Sequence, residues 1–327
     1  MMNDVTVVIG GQFGSEAKGQ VNGILARGRH FDWAVSNSGS QAGHTFVDGV
    51  YYRPTTVTRH LPIAGVIDDK TRMYIGPAAI LDLDVLMDEC NHFDCHDRVY
   101  IHRNAAVIMP DHRILDATLT ERMGSTGKGN GAALAAKIMR ETPLFGEFKT
   151  GFRMASGPPW LDHHSILVEA AQGFDLSIDR QFYPFCTSRN CWVGQALADA
   201  WIHPENCNLT TVLVVRAYPI RVAGNSGGWY PDQHEISWRD LEVEPEITTV
   251  TKRVRRVATF SMQQFKEACR INRPNIIAVS HLDYIKDPVE REDFLDKLHA
   301  LTKNLDLNVT WLYGYGPDVS NWEWITP

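Results

Sequence analysis

The chain has 327 residues, of which 44% are hydrophobic and 22% are charged, a composition typical of a soluble globular protein. No apolar run approaches the roughly 20 residues that a membrane-spanning helix needs, so we expect no membrane association. The 39 acidic side chains outnumber the 32 basic ones and give a net charge of −7, which argues against a dedicated nucleic-acid-binding protein. The amino terminus lacks a secretory signal, which predicts a cytoplasmic protein whose six scattered cysteines are reduced.

The predicted elements alternate between strands and helices along the chain. A β-branched apolar run at 5–9 ends in two glycines and is followed by a helical pattern at 17–27. Further strands are predicted at 33–36, 165–169, 211–217, 275–279 and 309–314, and further helices at 262–271 and 294–305. Continuous apolar strands that alternate with helices predict an α/β fold with a mainly parallel central sheet flanked by helices. In such sheets, ligands bind at the carboxyl ends of the strands.

Two regions depart from this pattern. Residues 45–62 carry short alternating stretches and turn residues, which predict a small antiparallel excursion from the main sheet. Four residues of the types that commonly bind zinc lie close together at the end of an amphipathic segment: Cys90, His92, Cys95 and His96. Their spacing is too compressed for familiar zinc modules, so we favour packing or solvent exposure over a zinc site. The flexible-looking segment 224–229 is too short to separate domains, and we expect one domain over residues 1–327.

A glycine-rich loop, residues 10–19, follows the first predicted strand. In phosphate-binding loops, glycine-permitted turns aim N–H groups at an anion, the following helix adds its positive end, and a lysine neutralises charge. Gly14, Lys18 and Gly19 supply those parts. The loop fits neither the G-x-x-x-x-G-K-[ST] pattern nor the dinucleotide pattern G-x-G-x-x-G. Its residues alone leave open whether it binds phosphate or is only a tight connection.

Two further loops are rich in small residues. The loop at 36–45 places His44 directly after Gly43, where the backbone can approach a ligand closely. This placement favours His44 as an acid that polarises a substrate oxygen over a purely structural histidine. The loop at 124–131 is dense in glycines and hydroxyls and precedes a helix that ends near Arg140. By itself it is either a binding loop or a flexible surface loop.

The three loops resemble those of adenylosuccinate synthetases in order and form. The family's first loop reads Gln-Trp-Gly-Asp-Glu-Gly-Lys-Gly, and this chain has Gln-Phe-Gly-Ser-Glu-Ala-Lys-Gly at 12–19. The family's Asn-Ala-Gly-His-Thr resembles Gln-Ala-Gly-His-Thr at 41–45, and its Gly-Thr-Thr-Gly-Arg-Gly resembles Gly-Ser-Thr-Gly-Lys-Gly at 124–129. Its Glu-Gly-Ala-Gln-Gly and Tyr-Pro-Phe-Val-Thr-Ser are similar to Glu-Ala-Ala-Gln-Gly at 169–173 and Tyr-Pro-Phe-Cys-Thr-Ser at 183–188.

Three later segments extend the resemblance over nearly the whole chain. The family's aspartate loop resembles Lys-Arg-Val-Arg-Arg at 252–256, a run that alone could also be a solvated basic surface. Its base-recognition motif Lys-Leu-Asp resembles His-Leu-Asp at 281–283, and its closing loop resembles Gly-Tyr-Gly-Pro-Asp at 314–318. The resemblance implies the P-loop-like adenylosuccinate synthetase fold.

The resemblance also implies a ligase reaction. Family members phosphorylate the 6-oxygen of a purine nucleotide and then let the amino group of aspartate displace phosphate from carbon 6. Catalytic roles would fall to Ser15, Lys18 and His44, and Mg²⁺ would be held in part by Ser15 and Gly43. The implied donor-nucleotide site comprises Gly14, Glu16, Ala17, Lys18, Gly19, Gly43, His44, Thr45, His281, Asp283, Gly314, Gly316 and Pro317.

The remaining implied sites hold the two small-molecule substrates. The purine nucleotide would contact Ser15, Gln41, Ser125, Thr126, Arg140, Gln172 and Thr187. Among these, Arg140 would reach across a homodimer to the 5′-phosphate bound by the other subunit. L-Aspartate would bind Thr251, Arg253 and Arg255, since guanidinium groups form bidentate charge-assisted pairs with carboxylates.

Ser15 is the sharpest departure from the family pattern. Ordinary synthetases have an aspartate there, which removes the proton from purine N1 and helps to hold Mg²⁺. A neutral hydroxyl is a far poorer base at neutral pH. The phage-encoded family members that make 2-aminoadenine nucleotides share this loss and act on deoxyguanylate, whose 2-amino group needs a hydrogen-bond acceptor beside N1. We therefore interpret the chain as joining aspartate to deoxyguanylate with ATP or dATP, in the host cytoplasm if it is phage-encoded.

Two alternatives stay open. One is an ordinary adenylosuccinate synthetase that uses inosinate and GTP and tolerates Ser15. The other is a nucleotide-driven regulatory switch.

Two further residues depart from the family pattern. Gln41 replaces the family asparagine, which is compatible with a divergent relative, and His281 replaces the family lysine, which leaves the donor base open. Ser15, a bound water and Glu16 are the candidates for handling the N1 proton.

Overall fold

The structure is a computed structural model that describes residues 2–49, 55–118, 126–160, 163–248 and 252–325. Its strands are β1 (Asn3–Gly10), β2 (Trp33–Ser36), β3 (His44–Phe46), β4 (Thr56–Thr58), β5 (Arg72–Ile75), β6 (Ile80–Leu81), β7 (Val99–His102), β8 (Ala106–Val107), β9 (Arg153–Ala155), β10 (Ser165–Glu169), β11 (Cys207–Arg216), β12 (Ile220–Arg221), β13 (Glu235–Ile236), β14 (Arg256–Ala258), β15 (Ile276–Ser280), β16 (Thr310–Gly314) and β17 (Trp322–Ile325).

The α-helices lie between these strands. They are α1 (Lys18–Gly28), α2 (Ile63–Ile67), α3 (Leu83–Phe93), α4 (Pro110–Ala117), α5 (Asn130–Met139), α6 (Val193–Asp199), α7 (Met262–Asn272) and α8 (Pro288–Asn304). Within the described ranges, none of them combines the length and the apolar character that crossing a membrane would need.

One large sheet organises the molecule. Its strand order is β17-β16-β15-β11-β1-β10-β2-β5-β7-β9. Neighbouring strands are parallel except for β16 and β17, which are antiparallel. The predicted α/β fold with a mainly parallel sheet is confirmed. Because β1 lies between β10 and β11, the loops after these three strands meet at one edge of the sheet.

The sheet is buried on both faces. Val7 and Ile9 of β1 pack into one hydrophobic cluster together with Phe265 of α7. Val8, between them in sequence, packs on the opposite face with Val21 of α1. Successive side chains of a strand point to opposite faces, so apolar residues at consecutive positions are what a sheet covered on both sides requires.

The predicted elements are found, with two notable boundary differences. The strand predicted at 211–217 begins earlier, at Cys207, because its polar first residues still pair with β1 in register from Asn3 onward. The helix predicted at 294–305 begins at Pro288, since the Asp287 side chain accepts the Val289 N–H and caps it. Its charged and exposed first turns hide the apolar periodicity that would have marked this start.

The predicted antiparallel excursion is a hairpin of β3 and β4, in which His44 lies opposite Thr58 and Thr45 opposite Val57. The part of the excursion at residues 50–54 lies outside the described residues. A second antiparallel group, β12-β14-β13, was not predicted, because its strands have only two or three residues. It supports the segment that carries Arg255.

The cysteine-histidine cluster does not come together as a ligand set. Cys90 and Cys95 are fully buried in the core, whereas His92 is exposed. His96 hydrogen-bonds Asn91, with 2.9 Å between Nε2 and Oδ1. In the described part of the chain, no group of three or more His, Cys, Asp or Glu side chains is placed to hold a metal ion.

The packing of α1 on β3 predicts that Gly23→Ala destabilises the protein. A Cβ atom at Gly23 would overlap the ring of Phe46, which is only 2% exposed. Alanine is intrinsically better than glycine in a helix by about 1 kcal/mol, but overpacking costs about 1–3 kcal/mol. We expect a lower free energy of unfolding in urea titration.

Gly28→Ala is the matched control, since a Cβ atom at this last residue of α1 meets open space. Its free energy of unfolding should be unchanged or slightly higher. Equal stability of the two variants would contradict the role given to the contact between Gly23 and Phe46.

Candidate active site

A cleft of about 1080 Å³ opens at the carboxyl ends of the parallel strands. Its walls come from the loops that follow β1, β2, β10, β11, β15 and β16. Most of the predicted site residues line it, namely Gly14, Ser15, Ala17, Lys18, Gly19, Gln41, Gly43, His44, Thr45, Thr126, Gln172, Thr187, Arg253, Arg255, His281, Asp283, Gly316 and Pro317. The structure thus brings together residues more than 300 positions apart in sequence.

A few predicted residues are placed elsewhere. Glu16 lies behind the first loop, Gly314 ends β16 without lining the cleft, and Arg140 is exposed outside the cleft of its own chain. Ser125 and Thr251 lie outside the described residues.

The phosphate loop is folded around the carboxylate of Glu16, which is only 1% exposed. One carboxylate oxygen accepts the N–H groups of Gln12 at 3.1 Å and Gly14 at 2.6 Å. The other pairs with Lys18 Nζ at 3.0 Å, and the same ammonium donates to the Gly14 carbonyl at 2.9 Å. Glu16 therefore fixes the shape of the loop and the position of Lys18, which begins α1.

His44 is held by a buried carboxylate that the sequence reasoning did not single out. Its Nδ1 contacts Oε1 of Glu169, the last residue of β10. The other oxygen of Glu169 accepts the Ile63 N–H of α2 at 2.9 Å. The side chains of His44 and Glu169 are 6% and 2% exposed. A carboxylate on one ring nitrogen fixes the ring and directs the other nitrogen, Nε2, toward a substrate.

Ser15 is enclosed by two arginines. Arg255 Nη1 donates to Ser15 Oγ at 3.1 Å, and Arg216 Nη1 donates to the Ser15 carbonyl at 3.0 Å. Arg216 also pairs with Glu246 at 2.5 Å, and the Gln12 side chain bonds its backbone at 3.0 Å and 3.2 Å. The hydroxyl that replaces the family aspartate is thus fixed in place beside a guanidinium group.

The charges around Ser15 are strongly coupled. Burial acts to raise the pKa of Glu246, but the charge and hydrogen bonds of Arg216 outweigh it, so that the pKa lies below its usual value. Burial lowers the pKa of Arg255, with the charge of Glu246 opposing this effect and that of Arg216 adding to it. Glu246 is therefore ionised at neutral pH and balances part of the positive charge of this wall.

A neighbouring part of the cleft, beside Arg216 and Glu246, is lined by His281 and Asp283. Asp283 follows β15, and its Oδ1 is buried without a hydrogen-bond partner among the described residues. His281 is held by Ser280, with 2.8 Å between Nδ1 and Oγ, and burial together with Arg216 lowers its pKa to about 3. An open carboxylate oxygen beside a neutral imidazole is suited to an amino group of a purine ring.

Several residues predicted to contact the purine nucleotide also line the cleft. Gln41 presents a buried Oε1 that has no partner among the described residues, and Gln172 adopts a left-handed backbone with φ of 58°. Thr126 and Thr187 contribute hydroxyls to the same wall. Unpaired polar atoms at the wall of a cleft favour a polar ligand, because leaving them unsatisfied is costly.

Comparison with known proteins identifies the family of this site. The family model described as adenylosuccinate synthetase matches residues 7–154 and 160–290. The chain belongs to the adenylosuccinate synthetase family. It is accordingly a carbon–nitrogen ligase of purine nucleotide synthesis, and the family resemblance inferred from the loops is confirmed.

Individual relatives come from two branches of the adenylosuccinate synthetase family. The N6-succino-2-amino-2′-deoxyadenylate synthase of Vibrio phage phiVC8 is 32% identical, with 98% of each chain covered. The adenylosuccinate synthetase of Pyrococcus sp. (strain ST700) is 31% identical over 91% of this chain and 89% of its own. Among solved structures, the succinoaminodeoxyadenylate synthetase of cyanophage S-2L, bound to dGMP and dATP as an energy donor, matches with a TM-score of 0.89 and 29% identity, covering 100% of this chain and 97% of its own.

Among the cleft or near-cleft residues that sequence reasoning missed, Glu169, Arg216, Glu246 and Arg59 are charged and bear on the chemistry. Arg216 could have been identified from the sequence, because a charged residue at the end of an apolar strand indicates a polar partner. Arg59 and Glu246 lie in irregular segments where nothing local marks them. Their roles emerge only from the tertiary contacts.

The synthetase residues fit a Mg²⁺ ion brought in with donor phosphates. Mg²⁺ prefers oxygen ligands and usually keeps one or two protein ligands beside phosphates and water. Gly43 lines the cleft, and a Cβ atom there would meet no described atom within 4 Å, so a carbonyl ligand has room. Ser15 Oγ already accepts a bond from the Arg255 cation, and the geometry favours Gly43 over Ser15 as the ligand.

The contact between His44 and Glu169 predicts the effect of Glu169→Gln. The amide removes the negative charge that holds the His44 ring, so we expect kcat to fall roughly 10- to 100-fold with little change in KM, because groups that assist proton transfer are worth 10²–10⁴-fold. Steady-state phosphate release measures both constants. Asp199→Asn, which alters a half-buried carboxylate outside the cleft, is the control. Wild-type kcat in Glu169→Gln would contradict this role.

Proposed function

We propose that the chain joins L-aspartate to carbon 6 of deoxyguanylate, using ATP or dATP, to give N6-succino-2-amino-2′-deoxyadenylate. The observation that carries this proposal is Ser15, which stands at the family's aspartate position with its hydroxyl fixed by Arg255 at 3.1 Å. Two further facts support it: the phage relatives with this named activity and the cyanophage enzyme bound to dGMP and dATP.

The 2-amino group of deoxyguanylate suits this hydroxyl. A serine oxygen has two acceptor lone pairs, of which Arg255 uses one. The second can accept an N–H of the 2-amino group. Inosinate has no group at this position, so its binding would leave the acceptor unsatisfied. A site built to hydrogen-bond a substrate group discriminates strongly against an analogue that lacks it.

The chemistry proceeds in two steps. The 6-oxygen of the purine attacks the γ-phosphorus of the donor, the bond to the β-phosphate oxygen breaks, and a nucleoside diphosphate leaves. His44 hydrogen-bonds the 6-oxygen as charge develops there, with Glu169 stabilising the protonated ring. The amino group of aspartate then attacks carbon 6, and phosphate departs with the 6-oxygen. Bound Mg²⁺ supplies charge neutralisation for the donor phosphates.

Glu16 is a poor candidate for the N1 proton. Its carboxylate is bound by two loop N–H groups and by Lys18, and it does not line the cleft. Ser15 or a water beside it is left to take this role. Because the Ser15 oxygen keeps a lone pair free, it can also accept a hydrogen bond from an N–H of the 2-amino group.

The other substrates are assigned to two further parts of the same cleft. L-Aspartate binds Arg253 and Arg255, whose guanidinium groups match its two carboxylates. The donor base lies against Asp283, whose open Oδ1 accepts the exocyclic amino group of adenine. The cyanophage enzyme, which was bound to dATP, supports an adenine donor.

We also propose a homodimer in which Arg140 serves the partner's cleft. Arg140 ends α5 in a left-handed conformation, with φ of 66°, and does not reach its own cleft. The packed pair α4 and α5 carries four exposed apolar side chains: Ile114, Leu115, Ile138 and Met139. A second copy of the chain would bury them and bring a cation to the 5′-phosphate.

The nearer alternative is an ordinary adenylosuccinate synthetase that uses inosinate and GTP. It is favoured by the 31% identity to the Pyrococcus synthetase. Membership of a ligase family leaves no support for the regulatory switch.

A substrate panel tests the assignment. We expect aspartate-dependent phosphate release with deoxyguanylate and little or none with inosinate. Ser15→Asp should lower turnover of deoxyguanylate roughly 10- to 100-fold and raise that of inosinate, because the carboxylate restores an N1 base. Ser15→Ala, the control, should lose deoxyguanylate turnover without gaining inosinate turnover. Aspartate-dependent release by the wild type with inosinate alone would replace the proposal with the ordinary synthetase.

Subunit mixing tests the shared site. Arg140→Gln and His44→Ala homodimers should each be nearly inactive. A mixture of the two, exchanged to random pairing, should recover about a quarter of wild-type activity, because half of the dimers contain one complete site. Sedimentation checks the dimer. A mixture as inactive as its components would show that Arg140 does not act across an interface.

A further inference from the structure

Arg59 lines the cleft and has no role in the assignments above. It directly follows β4, in the segment that leads to α2. Its guanidinium group is half-buried, and no carboxylate of the described residues lies within 4.0 Å of it. Four other cleft cations are engaged: Lys18 by Glu16, Arg216 by Glu246, Arg255 by Ser15, and Arg221 by the carbonyls of Ser226 and Phe185. Arg59 is therefore a cleft cation without an ion pair among the described residues, and it can bind an anionic ligand.

The register of the hairpin turns Arg59 toward the cleft. His44 and Thr58 form a cross-strand pair with buried side chains, and Thr45 and Val57 form the next pair, exposed and lining the cleft. Side chains two residues apart in a strand share a face. Arg59 therefore extends the face of Val57, level with the end of β3 that carries His44.

This face adjoins the phosphate loop. A Cβ atom at Gly19, near the start of α1, would lie 2.6 Å from the Thr45 nitrogen and 2.7 Å from its carbonyl oxygen, so β3 packs directly on the helix terminus. The helix terminus with Lys18 attracts the donor phosphates, and His44 addresses the 6-oxygen. Lys18, His44 and Arg59 line the same cleft, so Arg59 also borders the space through which a phosphoryl group would pass.

The backbone of Arg59 is fixed from behind. Glu89 of α3 accepts the N–H of Arg59 and those of His60 at 2.9 Å and Leu61 at 3.3 Å. Burial raises the pKa of Glu89, and these amides together with the nearby Arg59 charge offset part of that rise. Because its oxygens are occupied by three amides, Glu89 orients the segment without forming an ion pair with the guanidinium group.

We propose that Arg59 binds the γ-phosphoryl group of the donor and neutralises its charge during transfer to the 6-oxygen. The proposal rests on the phosphoryl-transfer reaction assigned above. Phosphoryl transfer depends mainly on positioning and charge neutralisation, and an arginine contributed by the same chain is an effective way to supply both.

Binding measurements isolate the γ-phosphoryl contact. Calorimetry compares ADP with the non-hydrolysable imido analogue of ATP, each with Mg²⁺. In Arg59→Gln, affinity for the analogue should fall roughly tenfold or more while affinity for ADP stays at the wild-type level, because a charge-assisted contact is lost. Arg59→Lys, which keeps a point charge, should show an intermediate loss. Arg270→Gln, on exposed α7 away from the cleft, is the matched control and should bind both as wild type does.

Kinetics supply the second readout. We expect kcat of Arg59→Gln to fall about 100-fold with KM for aspartate unchanged, since one donor to a transition-state oxygen is worth 10²–10³-fold. Unchanged affinity for the ATP analogue would overturn the proposal. So would a rise confined to KM for the purine nucleotide, which would place Arg59 at the 5′-phosphate. The binding test needs no acceptor purine, so it does not depend on the deoxyguanylate assignment. If that assignment is wrong, the wild type shows no turnover of deoxyguanylate, whatever the donor affinities are.

Discussion

The buried contact between Glu169 and His44 is the interaction on which the site depends. Glu169 ends β10, next to the central strand β1, and its two oxygens bind the hairpin histidine and the first N–H of α2. One carboxylate thus ties the sheet to the segment that approaches the substrate. Since the pair is nearly inaccessible to water, its electrostatic attraction is stronger than it would be at the surface. The same segment carries Arg59, so its position depends indirectly on this contact.

Charge distribution around Ser15 links substrate choice to aspartate binding. In this chain, Arg216 forms an ion pair with Glu246, whereas Arg255 donates to the neutral hydroxyl of Ser15 and has no carboxylate of the described residues within 4.0 Å. An aspartate at this position would pair with Arg255 and neutralise it. In the proposed reaction, the serine would leave more of the Arg255 charge for the carboxylates of the incoming amino acid. It would also change the group beside N1 from a base to a hydrogen-bond acceptor, so one substitution would account for both features.

The sequence predicted the fold better than the site. Long apolar strands and glycine loops carry local signals, and the predicted strands and the hairpin are present. The predicted starts of β11 and α8 were wrong, because strand pairing begins β11 at Cys207 and helix capping begins α8 at Pro288. Most residues that the motif resemblance predicted line the cleft. The resemblance missed Arg59 and Glu246, because their placement depends on hairpin register and on contacts between distant segments, which no local pattern encodes.

The central claim is that the 6-oxygen of a 2-aminopurine nucleotide becomes the leaving group. Deoxyguanylate carrying oxygen-18 at position 6 tests it most directly, in a reaction with unlabelled donor, aspartate and water. Mass spectrometry of the released phosphate gives the result. We expect each released phosphate to carry the label and the succinyl adduct to have lost it. If the phosphate is unlabelled and the nucleotide keeps the label, the 6-oxygen is not the leaving group.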